Sequence, residues 1–173
     1  IGLDDSILSG FGINERLANI DVMKESYKFF SDLNADVQKT YHDYPTLLKH
    51  RRRFSLEPKL DFLVNEIGIS KKTVARLPEL FTYSLNSLHD TYNHFTQVFY
   101  DNKEQAKSLL REATTVFGND VHLIDEKIII YKEEGIDFHR NYTLLELNPK
   151  KVIDTRDYCN EIGIKESVEK GKW

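Results

Sequence analysis

The residues best suited to chemistry in this chain form a run of cations, Lys49, Arg51, Arg52 and Arg53, with His50 among them. Arginine guanidinium groups bind phosphate oxygens through paired hydrogen bonds, and several together release counterions when they bind nucleic acid. Because cations are also favoured at the carboxyl ends of helices, a solvent-exposed helix end is the alternative interpretation. The run therefore predicts a phosphate-binding surface, with a helix end as its structural alternative.

Two further groups of cations have helical spacing. Lys72 and Arg76 are four residues apart, as are Lys107 and Arg111, so each pair lies on one face of a helix. Solvated helix faces are the alternative here, and Glu104 dilutes the second group. The candidate nucleic-acid-binding residues are Lys49, Arg51, Arg52, Arg53, Lys71, Lys72, Arg76, Lys107 and Arg111.

The charge of the chain is distributed unevenly. The formal net charge of the 173 residues is −4, which argues against a generic nucleic-acid clamp. Residues 44–76, however, contain eight basic and three acidic side chains, and the rest of the chain is correspondingly acidic. Any polyanion-binding surface is therefore expected to be local and about one repeat long.

The sequence offers little for catalysis, metal binding or membrane insertion. The single cysteine, Cys159, excludes an internal disulfide and a cysteine-based zinc cluster. His89 and His94 are five residues apart and do not share a helical face, and no phosphate-binding loop or nucleophile motif occurs. No apolar run approaches the ~18 residues of a membrane helix. We predict a protein that is not an enzyme and holds no metal or cofactor.

Several aromatic side chains between residues 83 and 100 could stack on bases, but their helical spacing favours packing in the core instead. They are Tyr83, Tyr92, Phe95, Phe99 and Tyr100.

A turn signal recurs along the chain with a period close to 34 residues. Its Asn or Gly readily adopts the left-handed conformation that ends a helix, and it falls at Asn34, Gly68, Asn102 and Gly135. Two residues after three of these signals stands a good helix N-cap, namely Asp36, Ser70 or Asp137, whereas the third copy has Glu104, a weaker cap. Each signal predicts that one helix stops and another starts.

A second signal follows about ten residues after the first. Pro45 precedes the apolar pair Leu47-Leu48, and Pro78 precedes Leu80-Phe81; two later copies keep the pair without the proline, as Val116-Phe117 and Leu144-Leu145. Since proline interrupts a helix, we expect a turn whose apolar pair is anchored in the core. Apolar spacing between the signals is helical, and we assign Ile128-Ile129-Ile130 to a helix, although it could pass for a strand.

These signals predict an all-α, single-domain protein, residues 1–173, built from repeats at 1–34, 35–68, 69–102, 103–135 and 136–165. One such unit is too small to bury its apolar face, so the units must stack into a curved solenoid, a shape suited to long partners.

The segment from Leu60 to Phe95 resembles the mitochondrial transcription termination factor (mTERF) family. The resemblance rests on Leu60-Asp61-Phe62-Leu63, Ile67-Gly68-Ile69-Ser70 and Leu77-Pro78-Glu79-Leu80-Phe81, and it extends over roughly residues 12 to 165. It implies a right-handed superhelical solenoid of three-helix repeats, a location in mitochondria or another organelle, and binding to organellar DNA or RNA through a basic surface. Two features depart from the family: this chain is acidic, and proline is absent at Thr114 and Tyr142.

We therefore expect a nucleic-acid-binding module in organellar gene expression, with RNA favoured over DNA. The alternative function is a protein-binding adaptor or structural subunit of a mitochondrial ribosome or of its assembly complex. Because the first residue is Ile1, we expect the natural start of the protein to precede it.

Overall fold

The computed structural model describes residues 20–99 and 102–163, and in this part of the chain every regular element is helical, which confirms the all-α prediction. Tyr100, Asp101 and the outer parts of the predicted repeats 1–34 and 136–165 lie outside the described residues. The α-helices are α1 (Ile20–Asp32), α2 (Val37–Asp43), α3 (Glu57–Asp61), α4 (Lys71–Arg76), α5 (Leu85–Val98), α6 (Lys103–Glu112), α7 (Val121–Glu133) and α8 (Pro149–Glu161).

The elements recur in one order: a long helix, a short helix and a 3₁₀ turn. The short helices α2, α4 and α6 are followed by 3₁₀ turns at Pro45–Lys49, Pro78–Phe81 and Thr114–Gly118. In the fourth copy a 3₁₀ turn at Phe138–Arg140 replaces the short helix, and another at Tyr142–Glu146 follows. The helix α8 then opens a further copy. This order matches a repeat of three helical segments.

The left-handed turn signals end the long helices as predicted in three copies. Asn34, Gly68 and Gly135 have φ values of 58°, 87° and 66°. The N–H after Asn34 bonds back to the carbonyl of Phe30 at 3.0 Å, which satisfies a free carbonyl at the helix end.

The helix N-caps follow the prediction in the first, second and fourth copies of the repeat, and the third copy departs from it. The side chains of Asp36, Ser70 and Asp137 each accept a hydrogen bond from a backbone N–H of the next helical element. In the third copy Asn102 has a φ of −78° and is itself the N-cap, accepting from the Gln105 N–H at 3.2 Å. The assignment of Glu104 as that cap was therefore wrong, because the amide two residues earlier is the better acceptor.

The second long helix is widened at both ends. π-helical turns at Arg52–Leu56 and Phe62–Glu66 flank α3 without a break, and we call the continuous stretch 52–66 the α3 rod. Within it Pro58 has no N–H, and a proline ring clashes with the carbonyl four residues earlier in a regular α-helix. The wider turn ahead of Pro58 accommodates the ring and lets the rod continue.

The 3₁₀ turns bury the apolar pairs that the sequence places after the proline signal. Proline opens the first two turns, at Pro45 and Pro78, and Ala113 and Asn141 precede the two later ones. All eight members of the pairs are buried in the structure: Leu47, Leu48, Leu80, Phe81, Val116, Phe117, Leu144 and Leu145. The predicted anchoring of these turns is confirmed, and it does not require the proline.

The chain divides into two compact units, one ending at His89 and the other beginning at Asp90. The core of the first unit centres on Phe30, which packs edge-on against Phe29, Tyr41 and Phe81 with ring centroids 5.1 to 5.7 Å apart. Edge-to-face packing of this kind adds roughly 0.5–1.5 kcal/mol per pair beyond apolar burial. The aromatic cluster therefore ties α1, α2 and the turn Pro78–Phe81 together.

The core of the second unit is organised around α7. Ile124, Ile128 and Tyr131 are buried along one face of this helix, and the Tyr131 hydroxyl donates to the carbonyl of Leu144 at 2.8 Å. The helical assignment of Ile128-Ile129-Ile130 is confirmed, with Ile129 turned to solvent.

Replacing a core leucine of the first unit should destabilise the fold strongly. Leu63→Ala or Leu80→Ala, at side chains 0% and 1% exposed, should each lower the free energy of unfolding by about 2–5 kcal/mol through lost burial and a cavity. Urea denaturation measures the loss. Phe54→Ala, at an exposed side chain of the same unit, serves as the control and should change stability by less than about 0.5 kcal/mol. Equal losses for core and control variants would contradict the assignment of the buried face.

The buried phenol of Tyr131 should make stability depend on pH in the alkaline range. Burial raises the pKa of Tyr131 from 10.0 to about 12, so the fold favours the protonated phenol. Its stabilising contribution should be complete below pH 10 and should be lost as the pH rises toward 12. Tyr131→Phe should be less stable than the parent at neutral pH by about 1–3 kcal/mol, because the Leu144 carbonyl loses its donor. The difference between the two proteins, measured by urea denaturation, should shrink above pH 10; a constant difference would count against this assignment.

Candidate nucleic-acid interface

Within the run of cations at residues 49–53, Arg52 is held by two carboxylates. Its Nη1 donates to Asp32 Oδ2 at 2.6 Å and its Nε to Glu57 Oε1 at 2.8 Å. Its guanidinium carbon lies 5.8 Å from the centre of the Phe29 ring. The hydrogen bonds to Glu57 and Asp32 raise the pKa of Arg52 further above its usual value. Arg52 therefore ties the start of the α3 rod to the end of α1.

The other three cations of the run, Lys49, Arg51 and Arg53, are exposed. Lys49 is the exposed last residue of the turn Pro45–Lys49. Arg51 and Arg53 are also exposed, and the guanidinium carbon of Arg53 lies 5.8 Å from the centre of the Phe54 ring. The exposed guanidinium groups at 51 and 53 can reach a phosphate without leaving a buried partner behind.

The second candidate group lies beside a groove of the first unit. Two depressions of about 530 and 440 Å³ share Asn34, Ala75 and Arg76, so they adjoin along α4. The larger depression is lined by Lys71, Lys72, Arg76 and Asp32, three cations against one carboxylate, and we call it the basic end of the groove. Since Asp32 also binds Arg52, the structure places the start of the α3 rod beside this end.

The other depression has mixed charge, with the cations Lys39 and Arg76 facing the carboxylates of Asp36, Asp43 and Glu79. Burial, together with the negative charges of Glu79 and Asp43, raises the pKa of the Tyr44 phenol at this end. Three carboxylates against two cations make this end less favourable to a polyanion than the basic end.

Lys39 is a groove residue that the sequence reasoning missed. The spacing of 33 residues that relates Pro45 to Pro78 also relates Lys39 to Lys72, so the repeat itself carried the signal.

The third candidate group, Lys107 and Arg111, belongs to the second unit and lies on α6. Lys107 is half-buried and pairs with Glu104 at 3.4 Å, and Arg111 donates to the Ser108 hydroxyl at 2.9 Å. Both cations bond within their own helix, so the geometry gives them no partner-binding arrangement comparable to the groove.

The histidines and aromatics considered at the sequence level are occupied in packing. The His89 ring packs at a tilt against Phe62 with ring centroids 4.2 Å apart, and His94 Nε2 lies 3.0 Å from Asp125 Oδ1. Phe95 and Phe99 are buried, as their helical spacing indicated, and Tyr83 and Tyr92 are half-buried. Within residues 20–99 and 102–163 no three His, Cys, Asp or Glu side chains form a group that could hold a metal ion. In the same residues, each helix is too short or too polar to cross a bilayer.

The first unit thus defines a helical-repeat protein with a basic groove beside the ends of α1 and α4. The family model described as mTERF matches residues 20–89, which are 70 of the 173 residues, and this match supports membership of the mTERF family. The family consists of helical-repeat solenoid proteins that are generally organellar and bind nucleic acid. Comparison with curated proteins and with solved structures gives no match.

The three consecutive arginines should differ in their effect on stability. Arg52→Ala should lower the free energy of unfolding by about 1 kcal/mol, because its partly exposed ion pairs join α1 to the α3 rod. Arg51→Ala and Arg53→Ala, at exposed side chains, should change it by less than about 0.5 kcal/mol. Thermal and urea denaturation at low and high salt measure this, and salt should reduce the Arg52 effect. Equal effects at all three positions would contradict a structural role for Arg52.

Proposed function

We propose that this protein binds nucleic acid, RNA in preference to DNA, in organellar gene expression, and that it does so through the basic end of the groove and the exposed arginines 51 and 53. The observation that carries the proposal is that Lys71, Lys72 and Arg76 line one depression in the segment that matches the mTERF family model. A mitochondrial location is part of the same proposal and rests on the family.

The chemistry of the groove suits a phosphate backbone. Lysine ammonium groups act as mobile point charges that tolerate many phosphate positions, whereas the planar guanidinium of Arg76 binds two oxygens at once. Each phosphate that these side chains neutralise releases counterions, so the affinity should fall steeply with salt. A few contacts of this kind give a short binding footprint.

The length of that footprint is what favours RNA. The carboxylates of Asp36, Asp43 and Glu79 at the other end of the groove would repel the phosphates of a backbone that ran along the whole groove. A chain with a net charge of −4 has little general attraction for duplex DNA. A local contact to a folded RNA, or to an RNA already held in a ribonucleoprotein, fits a basic patch one repeat long.

Removing the groove lysines should weaken RNA binding and flatten its dependence on salt. Lys71→Ala/Lys72→Ala should lower the slope of log affinity against log salt by about 0.7 for each lost contact to single-stranded RNA. The matched control is Lys24→Ala/Lys28→Ala, which removes two exposed lysines from α1 of the same unit. Fluorescence polarisation over a salt series measures both variants, and the control should keep the parent slope.

Two outcomes count against the proposal. If the parent protein binds neither RNA nor duplex DNA at low salt, nucleic-acid binding is wrong and the protein-binding adaptor becomes the better hypothesis. If the control variant loses as much slope as the groove variant, the interaction is diffuse and the groove is not its site.

A further inference from the structure

An aromatic side chain is displayed to solvent at the start of the α3 rod. Phe54 is 73% exposed, whereas Phe29, Phe30, Phe62 and Phe81 of the same unit are buried. Among the large apolar side chains in the part of the chain that the structure describes, it is the most exposed. An exposed phenyl ring forgoes the favourable burial of its apolar surface, and it leaves an aromatic face open to a partner.

Phe54 stands at the edge of a pocket of about 360 Å³ in the first unit. This volume is within the range of small-ligand sites, about 300–1,000 Å³. The wall of the pocket combines side chains from the α3 rod with those of the segment that leads into α5. These side chains are His50, Ser55, Pro58, Lys59, Thr82, Tyr83, Ser84 and Leu85.

The most buried polar group of the pocket is the ammonium of Lys59. This side chain is only 5% exposed, and its Nζ donates to the carbonyl of Phe81 at 2.7 Å. An ammonium carries three donors, so the carbonyl leaves others for a ligand. Burial lowers the pKa of Lys59.

The imidazole of His50 provides a second hydrogen-bonding group in the lining of the pocket. Its Nδ1 lies 3.2 Å from Ser55 Oγ. Burial, and then the positive charge of Lys59, lower the pKa of His50, which favours the neutral ring at physiological pH. Because Nδ1 is engaged by Ser55, Nε2 is the nitrogen left to meet the edge of a nucleobase, as donor or acceptor according to the tautomer.

The chemistry of this pocket differs from that of the groove. The groove offers a phosphate the exposed cations Lys71, Lys72 and Arg76. The one cation in the lining of this pocket, Lys59, is almost fully buried and already bonds a carbonyl. An aromatic face, hydroxyls and a neutral imidazole together suit a flat ring with polar edges. A base inside a duplex has both faces covered by its neighbours and cannot present one to Phe54.

We propose that the pocket bounded by Phe54, His50 and Lys59 receives one unpaired RNA base, which stacks on the Phe54 ring and directs its polar edge toward His50 and Lys59. The guanidinium of Arg53, 5.8 Å from the centre of the Phe54 ring, is placed to contact the phosphate of the same nucleotide. This inference rests on the proposed function and adds to it a preference for single-stranded segments.

The first test compares a single-stranded RNA of mixed sequence with the duplex formed from it and its complement. Base–aromatic stacking is worth about 1–3 kcal/mol per base, so Phe54→Ala should weaken binding to the single strand roughly 5- to 150-fold and leave duplex binding unchanged. Phe54→Tyr should restore the affinity, because it keeps an aromatic face. The matched control is Tyr158→Ala, which removes an aromatic ring 61% exposed on α8 and should affect neither RNA.

The second test reports the stacking itself. Trp173 is the only tryptophan of the chain, so Phe54→Trp in a Trp173→Phe background places a single fluorophore at the pocket. Titration with the single-stranded RNA should quench its fluorescence, whereas the duplex should not. Tyr158→Trp in the same background should show no quenching with either RNA.

The possible results separate this inference from the proposed function. One result is that the salt slope of single-stranded RNA binding depends on the groove lysines while Phe54→Ala binds like the parent. That result would disprove the base pocket and leave the proposal of a nucleic-acid-binding groove intact. Equal weakening of single-strand and duplex binding by Phe54→Ala also overturns the pocket. If the parent binds no RNA, the proposed function has failed, and this inference fails with it.

Discussion

Burial of the 3₁₀ turns is the constraint on which the repeats of this protein depend. A turn that inserts two apolar side chains into the core also takes backbone carbonyls out of water, and each of them needs a donor. The long helix of the same repeat supplies it: Ser26 donates to the Leu47 carbonyl and Lys127 to that of Leu145, each at 2.7 Å. Lys59 does the same for Phe81. The apolar pair is thus buried together with a polar side chain of the long helix, which is buried at Ser26 and Lys59 and half-buried at Lys127.

The spacing between that donor and the left-handed residue at the end of its helix is nearly constant among the repeats. The one difference accounts for the π-helical turn Phe62–Glu66. Ser26 lies eight residues before the left-handed Asn34, and Lys127 lies eight before Gly135, but Lys59 lies nine before Gly68. The additional residue falls in a rod that contains the π-helical turn Phe62–Glu66. A π-helical turn takes up one extra residue, so the donor of the second repeat still faces its carbonyl.

The sequence was informative at most positions where a local rule decides the structure, the N-cap at Asn102 being an exception. Left-handed Asn34 and Gly68, and the turn opened by Pro78, follow from backbone sterics and could be predicted without tertiary information. The pairing of Arg52 could not, since Asp32 lies twenty residues away and only the packing of α1 against the rod brings the two charges together. The two π-helical turns of the α3 rod could not be predicted from the sequence either, because helical periodicity over a short window tolerates one extra residue.

A net negative charge is compatible with the proposed phosphate-binding site because salt limits the range over which charges act. At physiological ionic strength the Debye length is about 8 Å, so the acidic remainder of the chain affects long-range attraction more than contact at the groove. Two carboxylates of the first unit, Asp32 and Glu57, bind Arg52 and thereby fix the first turn of the α3 rod. That turn carries the exposed Arg53 and Phe54, so the candidate contacts to phosphate and base are positioned by an arginine that itself contacts neither.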